Sequence, residues 1–250
     1  ASVLGLATET AMWDLAAQQA ELPLYRLFGG TDPRVRAYGS TLDFHLDESE
    51  FRSWMGHFTE MGMQAIKVKV GHPDVEWDLG RLAMVRDVLG PDVDVMVDAN
   101  EAWDLELLAE VAPVLAELGV EMIEQPLPAD MDSALASYKS PVPLCADEAC
   151  HTLKDLTKIG ERYDMVNIKL DKTGGLTEAL NLAHGAERAG VKIMVGCMVA
   201  TSLAMAPATM LASFAEFVDL DGPLLLKEDR ENGLVFKDGY VHPPSPALWG

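Results

Sequence analysis

Cysteine is scarce in this 250-residue chain, and the three present, Cys145, Cys150 and Cys197, form no CxxC pair. An odd count without such spacing suits a reducing, cytoplasmic setting and no disulfide framework. Long hydrophobic runs are missing too: no apolar stretch reaches the roughly 18 to 20 residues that span a bilayer, and nothing resembles a signal peptide, so no membrane partner is expected. Basic residues are few, with 19 Lys and Arg against 40 Asp and Glu for a formal charge of −21. No basic stripe is available to meet phosphates, which excludes nucleic acid, and the acid excess reads as a solvated surface. The six histidines show no HExxH or similar spacing, so a zinc site built on them is not expected. A glycine-rich dinucleotide turn is also lacking, since Gly71-His72-Pro73 is no such turn.

What is present is a repeated unit. Val93 to Ala99 is a short β-branched run between Gly90-Pro91 and Asn100, and it reads as a buried parallel strand that carries Asp98 at its carboxyl end. Ile66-Lys67-Val68-Lys69-Val70 puts Lys69 29 residues before Asp98. Glu124 follows Asp98 by 26 residues, Asp147 follows Glu124 by 23, and Lys169 follows Asp147 by 22. One strand, one helix and two short loops take about that length in a βα unit.

Eight strands are expected, at Val35–Leu42, Ala65–Val70, Asp94–Ala99, Glu121–Glu124, Pro143–Asp147, Met165–Leu170, Val191–Met198 and Phe217–Asp221. Helices fill the intervals, with Pro113 kinking or restarting one of them and Pro207 lying inside another. A doubly wound sheet usually has fewer strands, so the pattern predicts an α/β fold, a TIM-like (β/α) barrel. We expect residues 1–30 to lead into the barrel, 31–222 to form it, and 223–250 to be a hairpin tail marked by Asn232-Gly233 and Asp238-Gly239.

Charged residues at successive strand ends converge on one mouth of such a barrel. Asp98, Glu124 and Asp147, without His or Cys beside them in that set, make a hard oxygen site that fits Mg²⁺ best. Lys67 and Lys69 are two apart and so face the same way, each flanked by apolar residues. A nearby cation and partial desolvation both favour the neutral form of a lysine and make it a general base. Lys169 lies four strands further on. Two lysines on opposite sides of a metal-held carboxylate suit racemisation or epimerisation, a 1,1-proton transfer through an enediolate.

The order Lys-Val-Lys, Asp-Ala-Asn, Glu-Gln-Pro, Ala-Asp-Glu, Asn-Ile-Lys resembles the enolase superfamily in its muconate-lactonising subgroup, from about residue 5 to the end. The resemblance implies metal ligands at Asp98, Glu124 and Asp147, acid/base lysines at Lys69 and Lys169, and a substrate contact at Lys67 that also depresses the pKa of Lys69. Asp219 and Asp221 on the eighth strand look like the pair with which dipeptide epimerases receive a substrate ammonium, and two acids there would repel an anionic tail. The same resemblance implies substrate contacts at Thr41, Cys197 and Val199. Position 200 is Ala, where some relatives carry an acid.

Superfamily members also carry an N-terminal capping domain that closes over the site. This chain starts at what resembles the helix before the barrel, and 223–250 resembles the segment that returns to the cap, which leads us to expect a barrel without its lid. The expected activity is a Mg²⁺-dependent dipeptide epimerase, with a small-molecule dipeptide as partner and homo-oligomerisation left open. An N-acylamino acid racemase, an o-succinylbenzoate synthase or a cycloisomerase on the same barrel are the enzymatic alternatives. A catalytically silent lidless barrel that binds metal or a partner is the non-enzymatic one.

Overall fold

The computed structural model describes residues 3–27, 35–36, 39–41 and 46–250, with backbone alone for residues 3, 35–36 and 39–41. In chain order the helices are α1 (Val3–Ala20), α2 (Leu24–Leu27), α3 (Glu48–Glu60), α4 (Val75–Leu89), α5 (Leu105–Glu117), α6 (Leu156–Ile159), α7 (Leu170–Thr173), α8 (Leu176–Ala189) and α9 (Ser202–Met205). The strands are β1 (Val35–Arg36), β2 (Gly39–Thr41), β3 (Ala65–Lys69), β4 (Asp94–Asp98), β5 (Val120–Glu124), β6 (Leu144–Ala146), β7 (Met165–Ile168), β8 (Lys192–Val195), β9 (Phe217–Val218), β10 (Phe236–Lys237) and β11 (Tyr240–Val241). Parallel strands alternating with helices in sequence order are the α/β arrangement of a (β/α) barrel. No helix among the described residues is long and apolar enough to cross a membrane. The chain divides into two compact units, one of Ala1–Ala37, His151–Leu156 and Asn167–Gly250, the other of Tyr38–Cys150 and Thr157–Val166.

In the Tyr38–Cys150 unit the parallel order is β2-β3-β4-β5-β6, extended by Met165 and Val166 of β7. The helices start where short acids cap them. Asp47 accepts from Glu50 N, and Glu50 reaches back to Asp47 N at 3.0 Å, so α3 opens on a capping box and buries Phe51, Met55 and Phe58 along one stripe. Asp104 caps α5, which buries Leu108, Val111, Ala112 and Leu115. Of the two expected outcomes the restart does not occur: α5 runs as one helix through Pro113. Pro113 and Ala109, whose carbonyl loses its helix partner, both face solvent, so water can replace the missing bond.

Register aligns the chemistry. Lys69 pairs with Asp98 across β3 and β4, and Asp98 pairs with Glu124 across β4 and β5. Residues in register on parallel strands face the same side, so the three share one row. The row beneath is Lys67, Met96 and Met122, with both methionines fully buried.

In the other unit, Gly196 N donates to Ile168 O at 3.1 Å to join the end of β7 to the β8 side, and β8 pairs in parallel with β9. α1 lies against α8, where Thr177 N donates to Glu9 at 2.8 Å, and Trp249 Nε1 returns the C-terminal segment to Thr10 O at 2.9 Å. The expected strand Val35–Leu42 is divided. Val35–Arg36 pairs antiparallel with β11, whereas Gly39–Thr41 pairs in parallel with β3; Ala37, Tyr38 and Leu42 lie outside the described residues. The expected hairpin is present: β10 and β11 are joined by Asp238 and Gly239, both at positive φ (54° and 76°), as a two-residue hairpin turn requires. The expected helix Thr201–Phe214 changes at Ala206 from α to 3₁₀, with Pro207 in the first turn of the new segment, where its missing N–H costs no bond.

The methionine row is the floor of the charged row. Met96→Ala should therefore destabilise the protein by about 2–5 kcal/mol, read as a lower urea midpoint; an unchanged midpoint would mean that this floor is not packed.

Candidate active site

Asp98 and Glu124 are wholly buried, and positive charge meets both. Lys67 Nζ lies 3.1 Å from Glu124 Oε2 and 3.7 Å from Asp98 Oδ2. Lys69 Nζ donates to Asp98 Oδ2 at 2.5 Å and to Asn100 Oδ1 at 2.6 Å. Both lysines thus reach the same carboxylate oxygen, as their two-residue spacing predicts. Their surroundings differ, because the Lys67 side chain is 5% exposed and that of Lys69 is 32% exposed. Lys67 is the more enclosed of the two, and Lys69 keeps an open side.

Asp147 is buried just past the end of β6. Cys145 is in register with Glu124, and Asp147 lies two residues beyond it, on the same side and one step further toward the carboxyl end. Its backbone N–H donates to Gln125 Oε1 at 2.8 Å. Among the described residues, no group of three His, Cys, Asp or Glu side chains is already gathered around a common point. The Lys67 and Lys69 ammonium groups lie against the Asp98 and Glu124 carboxylates instead. By donor chemistry the set fits a hard divalent cation: three buried carboxylates at consecutive strand ends, with neither imidazole nor thiolate among them.

Three polar residues of the same motifs have no role expected from the sequence. Asn100, at φ 42°, donates its backbone N–H to Asp98 Oδ1 at 3.0 Å and its side-chain amide to Glu148 Oε1 at 3.3 Å while accepting from Lys69. Glu148 is pushed above the usual carboxyl range by burial and next by the adjacent Asp147 charge, against the bond from Asn100. Gln125, also at positive φ (33°) and fully buried, holds the Asp147 turn. Each directly follows an acid at a strand end, or lies two residues past it, which is the one sequence signal that could have singled them out.

The remaining expected residues, Thr41 apart, belong to the Asn167–Gly250 segment. Lys169 follows β7 and precedes α7 with extended backbone (φ −119°, ψ 131°), and it is buried. Asp219 and Asp221 follow β9, both buried, and Asp219 N donates to Val195 O at 2.8 Å. Cys197 and Val199 sit in the loop after β8, Val199 exposed. The two loops meet at Gly222, where a Cβ would come within 2.6 Å of Met198 O and 3.2 Å of Cys197 Sγ. That close approach requires glycine directly after Asp221 and sets the acid pair beside the Cys197–Val199 loop. Thr41 ends β2 by its backbone, and its side chain lies outside the described residues.

The sequence matches the enolase C-terminal domain-like family over residues 50–247. An N-acetyl-D-glutamate racemase from Pseudoalteromonas sp is 43% identical over 98% of this chain and 75% of its own length. The L-Ala-D/L-Glu epimerase of Escherichia coli (strain K12) is 42% identical over 94% of this chain and 72% of its own. Among solved structures, an enolase family member from Agrobacterium tumefaciens with homology to dipeptide epimerases, bound to sodium and L-Ala-L-Glu, superposes with a TM-score of 0.87 at 42% identity, covering 98% of this chain and 73% of that one. A dipeptide epimerase from Cytophaga hutchinsonii complexed with Mg and D-Ala-L-Val gives a TM-score of 0.87 at 29% identity, covering 96% and 67%.

The raised pKa of Glu148 has a definite sign. Its native carboxyl holds its proton to higher pH than the unfolded one, so the stability this confers is lost as pH rises through the native pKa. Glu148→Gln removes the charge and keeps the acceptor for Asn100. In metal-stripped protein it should raise Tm at pH 8 and leave it unchanged near pH 3; an equal shift at both values would contradict burial of a charged Glu148.

Proposed function

This chain belongs to the enolase C-terminal domain-like family, and from that membership and the site's geometry we propose that it is an isomerase that epimerises the glutamate-type residue of a dipeptide. The observation that carries the reading is the row Lys69–Asp98–Glu124, its two acids fully buried, with Lys67 beneath it. Asp98, Glu124 and Asp147 would hold Mg²⁺, which when bound offsets the negative charge that grows on the substrate carboxylate during proton removal. Lys67, enclosed between two carboxylates, binds one substrate carboxylate oxygen and adds a second fixed positive charge. Lys69 takes the α-proton from one face, and Lys169 returns a proton to the other. The two lysines exchange roles when the opposite epimer is the substrate.

Asp219 and Asp221 favour a substrate with a free ammonium. Two acids two residues apart after one strand attract a cation and repel an anionic tail, and a dipeptide amino terminus supplies that cation. A second reading has its own support. The Pseudoalteromonas relative is named for an N-acetylated substrate, which carries no such charge. Both relatives are named for glutamate derivatives, so the two readings share the residue that is inverted and differ in what is attached to its nitrogen. The cysteine usage supports a cytoplasmic setting.

Loss of one general acid/base lowers rates by about 10²–10⁴-fold. Lys69→Ala and Lys169→Ala should each lose epimerisation of L-Ala-L-Glu by at least that factor. Each should still exchange the α-proton of one epimer, and not the same one, with D₂O. Exchange of the same epimer in both variants would contradict the two-face assignment. Comparing wild type with Asp219→Asn and Asp221→Asn on L-Ala-L-Glu and N-acetyl-L-glutamate separates the two substrates: the dipeptide reading predicts loss on L-Ala-L-Glu alone, and a wild-type preference for N-acetyl-L-glutamate would replace it.

A further inference from the structure

A polar chain, buried except at Arg162, takes no part in the proton transfer. Arg162 NH1 donates to Asp132 Oδ1 at 2.6 Å, and Tyr163 OH donates to Asp132 Oδ2 at 3.1 Å. A phenol has one proton. With that proton committed to Asp132, the Tyr163 oxygen accepts from Gln125 Nε2 at 2.9 Å. The same amide nitrogen donates to Leu127 O at 2.8 Å. The amide oxygen is therefore turned the other way, and it accepts from Asp147 N at 2.8 Å and Ala149 N at 3.1 Å.

Each link has only one direction. Reversing the Gln125 amide would set its oxygen against Leu127 O and its nitrogen against two N–H groups. Burial first, and then the Asp132 charge, keep the Tyr163 hydroxyl protonated well beyond neutral pH. Gln125 is held in the left-handed region at φ 33°, a conformation that persists in a non-glycine residue when its surroundings determine it.

We propose that Arg162, Asp132, Tyr163 and Gln125 form a positioning device that fixes the backbone from Asp147 to Ala149, and so the direction in which the Asp147 carboxylate leaves the end of β6. The proposal rests on reading Asp147 as a ligand of the divalent cation. Gln125 is the residue that acts on the turn; the other three act through it. Groups that orient a ligand in this way typically change metal affinity by 10–100-fold when removed.

Tyr163→Phe keeps the ring and deletes the link. In the full chain, stripped of metal and titrated with MgCl₂ by calorimetry, it should weaken Mg²⁺ binding about tenfold. In the metal-free protein the Asp147 and Ala149 amides should exchange faster with deuterium. The Mg²⁺ concentration for half-maximal activity should rise, with kcat recovering at saturating Mg²⁺. Asp132→Asn carries the same readouts if Tyr163→Phe does not fold. Val142→Ala, at a buried apolar position, is the control that loses stability without touching the chain. Wild-type Mg²⁺ affinity in Tyr163→Phe, unchanged exchange at both amides, or equal weakening in Val142→Ala would each overturn the positioning role. Absence of Mg²⁺ binding in the wild-type protein would instead overturn the reading of Asp147 as a ligand, and the proposal with it.

Discussion

Two carboxylates sealed from water must be met by positive charge, and that constraint organises the Tyr38–Cys150 unit. Asp98 and Glu124 are fully buried, and an unpaired ion in such a place costs several kcal/mol. Strand β3 answers with Lys67 and Lys69, two cations of one parity on a strand whose other parity is apolar. The pairing depends on register. A slip of one residue along β3 would turn both ammonium groups away and put Ile66 and Val68 against the acids. The same residues that make the fold self-consistent therefore gather two carboxylates and two ammonium groups at one end of the sheet.

The turns beyond the strands refine that arrangement. Asn100, two residues past β4, and Gln125, directly after β5, both adopt positive φ. Asn100 links Lys69 to Glu148, and Gln125 holds the Asp147 turn. Left-handed backbone is unfavourable for non-glycine residues, so its use at two adjacent strand ends marks a place where geometry is favoured over local stability.

Much of this is legible in the sequence. Strands β3, β4 and β5 stand out because each is a short apolar run ending in a charge, and their spacing matches the βα unit. The aligned row of Lys69, Asp98 and Glu124 follows from that pattern once strand order is assumed. Other features depend on partners far away in sequence. The division of Val35–Leu42 is set by β11, some two hundred residues on, which no local pattern reveals. Pro113 is tolerated because the carbonyl it frees faces water, a fact of burial rather than of sequence. The role of Gln125 needs Tyr163 and Asp132, each unremarkable alone and joined only by packing. Asp147 illustrates the boundary: its residue type and spacing were readable, but the turn that aims it was not.

If the carboxylates at the ends of β4, β5 and β6 form one divalent-cation site, an anomalous difference map from crystals soaked in MnCl₂ should hold a single strong peak within coordinating distance of Asp98, Glu124 and Asp147, with the Lys67 and Lys69 ammonium groups drawn off it. A map with no peak there, or with its peak on other carboxylates of this acidic surface, would contradict it.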